Sequence, residues 1–147
     1  LFILRKSVNT LFTHRVHRIL QNQGDARIRE VKLVTPRALA EVDITVCTDD
    51  ISRYNSAFTA RFDFIRVANV LNKGYFSPSV MSTMIANIGR YLRTPHGSLF
   101  VVRTHEDRAN HGTLFRAGDN QHFEVVHRFG SGSEVEGLVL RTEIATP

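Results

Sequence analysis

Cysteine occurs once among the 147 residues, at Cys47, so no internal disulfide can staple this chain. The run around it, Val42 to Thr48, is largely apolar; this predicts a strand with a buried, inert thiol and suits a reducing, cytoplasmic setting. No stretch approaches the roughly 18 to 20 apolar residues that a membrane-spanning helix requires. The opening Leu1-Phe2-Ile3-Leu4 is too short for a secretory signal core. Internal repeats and low-complexity tracts are missing, as are a GxSxG elbow, a Walker-type phosphate loop and an HExxH pair. Hydrolase and nucleotide-triphosphatase readings therefore lack their chemistry.

What is present reads as one globular domain over residues 1–147, with 42% hydrophobic and 22% charged residues. Nineteen Lys and Arg against fourteen Asp and Glu leave a net charge of +5, which makes an anionic partner plausible. The excess lies early, in Arg5, Lys6, Arg15, Arg18, Arg27, Arg29, Lys32 and Arg37, opposed there by Asp25 and Glu30. Arg5, Lys6, Arg15 and Arg18 are the expected contacts of such a partner, a polyanion or nucleic acid. Binding at a membrane is not expected, and the reading leaves room for a homodimer.

Periodicity predicts alternating strands and helices. Residues 1–4 read as a strand, 9–20 as a helix opened by Asn9-Thr10, 28–34 as a strand, and Pro36 to Leu39 as a short helix. Val42 to Thr48 is a third strand, 51–58 a loop or short helix, and Phe62 to Val67 a fourth strand. Ser77-Pro78 opens the longest helix, with Val80, Met84, Ile85, Ile88, Tyr91 and Leu92 at three and four residue spacing. A fifth strand follows at Ser98 to Thr104, a helix at 109–117, and strands at 122–129 and 138–144 too closely linked to be anything but antiparallel. The fold class expected is α/β: a three-layer Rossmann-like sandwich, mostly parallel, ending in an antiparallel hairpin.

Within that order, Phe62-Asp63-Phe64-Ile65, Asn69-Val70-Leu71, Tyr75-Phe76, Leu92-Arg93, Gly97, Leu99-Phe100-Val101-Val102 and Thr104-His105-Glu106 stand out. This segment resembles class I S-adenosylmethionine-dependent methyltransferases and is especially similar to the chemotaxis-receptor methyltransferases. The resemblance implies S-adenosylmethionine as cofactor, with Ala68, Asn69, Val70 and Leu71 lining the reaction site and Asp49 or Asp50 facing the adenine amino group. Tyr75 and His105 would stand near a methyl acceptor whose identity the sequence does not show. The chain departs from the family in two places. Arg5 to Thr10 holds no glycine where a glycine-rich turn is usual, and Leu33, Val34 and Thr35 stand where an acid would take the ribose hydroxyls. A degenerate, non-catalytic interaction module is therefore an alternative to an active enzyme.

Other constellations have plainer readings. His14 and His17 share a helix face with Arg15 and Arg18, which oppose a cation. His105, Glu106, Asp107 and His111 read as a polar rim loop, and no metal is expected. Tyr54, Phe58 and Phe62 are expected in the core or as a lid over the cleft.

Overall fold

The computed structural model describes residues 34–105 and 108–144. The expected strand at 1–4, the helix at 9–20 and nearly all of the strand at 28–34 lie outside these residues. So do Arg5, Lys6, His14, Arg15, His17, Arg18, Glu106 and Asp107. Two units meet in sequence between Cys47 and Thr48.

In the first unit, helix α1 (Pro36–Ala40) is a single turn opened by Thr35, whose hydroxyl accepts a hydrogen bond from the Ala38 amide at 3.3 Å. Proline at the first position suits it, having no amide proton to satisfy there. Residues 41–47 form no strand, and Cys47 is exposed, which corrects both the expected third strand and the buried thiol. A strand needs a neighbouring backbone to complete its ladder. None pairs with this segment among the described residues, and Val42 is 98% exposed.

The second unit runs through a 3-10 turn (Ser56–Phe58), β1 (Phe64–Ala68), α2 (Pro78–Tyr91), β2 (Ser98–Thr104), β3 (Asn110–Ala117), β4 (Phe123–Phe129) and α3 (Glu136–Arg141). The strands lie in the order β1-β2-β3-β4. β1 and β2 are parallel, joined through α2, whereas β2-β3 and β3-β4 are antiparallel. This four-stranded mixed sheet with short helices corrects the expected three-layer, mostly parallel sandwich. The five residues 105–109 between β2 and β3 cannot make a parallel crossover, so the chain turns back on itself. Where a helix was expected at 109–117, β3 instead alternates Thr113, Phe115 and Ala117 into the core. Where a final strand was expected at 138–144, α3 stands, followed by one antiparallel bridge between His122 and Glu143.

Both helices cover one face of the sheet. Met81, Met84, Ile85 and Ile88 recur on one side of α2 and pack with Val67, Leu99, Val101 and Phe115, while Val135, Val139 and Ile144 close the core from the α3 side. Ser77 caps α2 through the Val80 amide, and Pro78 follows it. Tyr54, Phe58 and Phe62 gather at the carboxyl end of α2. Tyr54 stacks on Tyr91 at 5.8 Å between ring centres, the Arg90 guanidinium sits 3.6 Å over the Tyr54 ring, and Phe58 meets Phe62 and Tyr91. No helix among the described residues is long and apolar enough to cross a membrane.

Candidate functional site

In α/β units ligands collect where parallel strands end at their carboxyl side, because the chain opens into loops there. This unit has one such place, the rim formed by the ends of β1 and β2. Ala68 closes β1 opposite Val102. Asn69 then turns into the left-handed region, with φ of 60°. Its amide donates to the Val102 carbonyl at 2.9 Å, and its side-chain Oδ1 accepts from the Thr104 amide at 2.8 Å. Asparagine tolerates this backbone better than most residues, and its short amide can satisfy a neighbouring strand end at the same time. The Nδ2 group makes no hydrogen bond among the described residues.

Beyond Asn69 the rim divides. Val70 is 40% exposed, whereas Leu71 turns into the core at 3%. Asn72 folds the next turn: its Oδ1 accepts from the Gly74 amide at 2.7 Å and its carbonyl from the amides of Tyr75 and Phe76. Tyr75 is left projecting, 77% exposed. Glu134 holds this loop to β2. Its carboxylate accepts from the Arg103 guanidinium at 2.5 Å and from the Lys73 amide at 3.4 Å.

On the β2 side, His105 starts a tight turn, its amide donating to the Ala109 carbonyl and its carbonyl accepting from the Arg108 amide, both at 2.9 Å. The ring packs edge-on against His111, with centres 4.8 Å apart and planes at 88°. Nε2 of His105 is buried and has no hydrogen-bond partner among the described residues. A buried polar atom in that state loses its hydration without replacement. His111 is fixed from the other side by Ser131, whose amide donates to Nδ1 at 2.9 Å and whose hydroxyl lies 3.0 Å from the same atom. Gly130, at φ of 59°, makes that contact feasible, because a Cβ there would run into the His111 ring.

Asn69 and His105, 36 residues apart in sequence, are thus joined at one rim through Thr104, with Ala68, Val70 and Leu71 beside Asn69. Asp49 and Asp50 stand on a separate, exposed loop. Asp49 accepts from the Asn55 side chain at 3.0 Å. Asp50 accepts from both the hydroxyl and the amide of Ser52, which together with nearby Arg53 hold its carboxyl below its ordinary range against a small opposing effect of burial. Among the described residues no group of three or more His, Cys, Asp or Glu side chains is arranged to hold a metal.

Sequence reasoning passed over Ser131 and Glu134, which help hold the rim in shape. The turn residues around them, Asn72-Lys73-Gly74 and Gly130-Ser131-Gly132, were the available signal. Comparison of the chain with protein families, with curated proteins and with solved structures finds no match.

Proposed function

We propose that the rim at the carboxyl ends of β1 and β2 takes an S-adenosyl ligand, and that the chain is a methyltransferase. The observation that carries this reading is the meeting of Asn69 with the Thr104-His105 corner at that rim. The residues there suit such a ligand. The Nδ2 of Asn69, without a hydrogen bond among the described residues, is a donor for the carboxylate of the ligand's amino-acid end, and Val70 offers it apolar surface, whereas Asp49 stands on a separate loop, bonded to Asn55.

The cofactor, when bound, supplies a methyl group carried on a sulfonium sulfur. Asn69 and Val70 would hold such a ligand, and the chemistry it would supply is delivery of that methyl group to an acceptor oxygen or nitrogen. The chain's part is alignment and proton removal. On this reading Nε2 of His105, without a hydrogen-bond partner among the described residues, receives the acceptor's proton, and Tyr75 projects from the adjoining loop.

A second reading, a non-catalytic interaction module, is favoured by Asn69 itself. Its side-chain carbonyl and its amide are already committed to β2, which gives the residue a structural role without any ligand. Titration calorimetry of the full chain with S-adenosylhomocysteine tests the first reading. Measurable heat and a rise in melting temperature are expected, both reduced by replacing Val70 with aspartate. The absence of heat and of thermal shift would overturn it. Binding without methyl transfer to any nucleophile tried would support the second reading.

A further inference from the structure

We infer that the face of the sheet opposite α2 and α3 is a stacking platform for single-stranded nucleic acid. This surface adjoins the rim at Ala68 and Val102, but its argument does not depend on the methyl-transfer reading.

Strand register fixes what the face carries. Phe64, Ser98, Arg116 and Glu124 form one row across the sheet, Arg66, Phe100, Leu114 and His127 the next, and Ala68, Val102, Gly112 and Phe129 the third. α2 and α3 cover the other side. Here, Phe64 is 53% and Phe129 44% exposed. Aromatic side chains of that size on an open sheet face mark a recognition surface more often than a solvated one.

The aromatics are connected. Gly112 of β3 lies between Phe100 and Phe129, and a Cβ at that position would stand 3.0 Å from the Phe100 ring and 2.6 Å from the Val101 carbonyl. Without it, the Phe100 ring crosses β3 and meets Phe129 at 5.2 Å, and Phe129 in turn meets the His127 ring at 4.6 Å. A ridge of three rings therefore spans β2 to β4, about 10 Å at the usual strand spacing.

Charge selects the occupant. Arg66, beside Phe100, and Arg116 are both exposed and neither is held in an ion pair or hydrogen bond among the described residues, while Glu124 is the one acid in these rows. Rings that offer π-faces, flanked by unengaged guanidinium groups, match a chain of unstacked bases on a phosphate backbone. A duplex keeps its base faces covered and would use only the arginines. A second copy of this chain would set Arg66 and Arg116 against their counterparts, which opposes pairing of the two faces. Arg5, Lys6, Arg15 and Arg18, the anion contacts expected from the sequence, lie outside the described residues.

Fluorescence anisotropy of the full chain with labelled dT12, rU12 and a 12-base-pair duplex tests the inference. Both single strands should bind more tightly than the duplex, and their order tells whether the 2′-hydroxyl is read. Phe129→Ala should weaken single-strand binding by about 5-fold to 100-fold, the range of one lost base stack, with the circular dichroism spectrum and melting temperature retained. Phe129→Tyr should restore it. Replacing Arg66 and Arg116 together by Gln should lower the salt dependence by about 1.4 in logarithmic slope. No binding, a duplex bound at least as tightly, or binding indifferent to Phe129→Ala would overturn the inference. A dimer in sedimentation that Phe129→Ala disperses would also overturn it, assigning the face to a second copy.

Discussion

Asn69 serves two strand ends from a backbone conformation that few residues other than glycine adopt readily. Its replacements therefore separate two effects. Asn69→Gly keeps the backbone relaxed and loses the bond to Thr104, and should lower stability by about 1 kcal/mol. Asn69→Ala loses the bond and also sets a Cβ in the left-handed region, which should cost about 1 kcal/mol more. Urea unfolding of the two variants checks the order; equal losses would mean the backbone strain is unimportant. Glu136 offers a second residue-scale test. Arg128 donates three hydrogen bonds to its carboxylate, from Nε and Nη2, at 2.7 to 3.1 Å, and Thr113 adds a fourth at 2.9 Å. The Arg128 bonds draw the Glu136 carboxyl below its ordinary range, burial opposes them, and Thr113 assists. Since the folded carboxyl loses its proton at lower pH than the unfolded one, the stabilisation is fully present above the unfolded value of about 4.3 and disappears as pH falls through the folded value. Glu136→Gln should flatten the acid limb of stability against pH, measured by denaturation between pH 7 and pH 2; an unchanged limb would refute the assignment. Of the rim, Asn69 and His105 were legible because they end strands marked by clear apolar runs. Glu134 and Ser131 were not, since only the fold brings residues so distant in sequence to Arg103 and His111.

At the scale of elements, α2 shows how a helix is specified. Ile85 is fully buried and its neighbour in the expected apolar stripe, Val80, is 37% exposed. Ile85→Ala should lower stability by about 2 to 5 kcal/mol, through lost burial and the cavity left behind, whereas Val80→Ala should change it by less than about 1 kcal/mol. Thermal and urea unfolding decide this, and similar losses at both positions would show that α2 packs by another face. This helix was readable because Ser77-Pro78 starts it and a 3.6-residue stripe runs its whole length. β1, β2 and β4 were readable for the corresponding reason. β3 was mistaken for a helix although Thr113, Phe115 and Ala117 alternate with Leu114 and Arg116 at the period of a strand. Gly112 within the run obscured it, and that glycine is explained only in the fold, where the Val101 carbonyl and the Phe100 ring leave no room for a Cβ. The opposite error at 138–144 has a different cause: Leu138-Val139-Leu140 is too short an apolar run for periodicity to discriminate. Burial of Val139 beside Val135 and Ile144 settles it as a helical turn. Val42 to Thr48 carries a strand pattern that no neighbouring backbone completes among the described residues.

For the molecule as a whole, the decisive feature is where the core residues come from. Every buried hydrophobic residue of the described chain lies between Val67 and Ile144, and the partly buried ones that pack against them begin at Ile51. Helix α1 contributes none. The folding free energy of the second unit should therefore reside almost wholly in residues from Thr48 onward. A chain of about 100 residues buries a smaller fraction of its surface than a larger domain does, so such a unit is marginal but within the range that folds alone. A fragment of residues 48–147 should unfold in urea as one cooperative transition, with a slope of about 1 to 2 kcal/mol per molar, and should keep near-ultraviolet dichroism from the stacked Tyr54 and Tyr91 rings. Its exposed sheet face would bind an environment-sensitive dye even when folded, so dye binding alone does not discriminate. The near-ultraviolet signal does, because it requires fixed side-chain packing. A fragment with helical and strand content but no such signal, and with a broad transition, would show that residues before Thr48 contribute to the packing of this core.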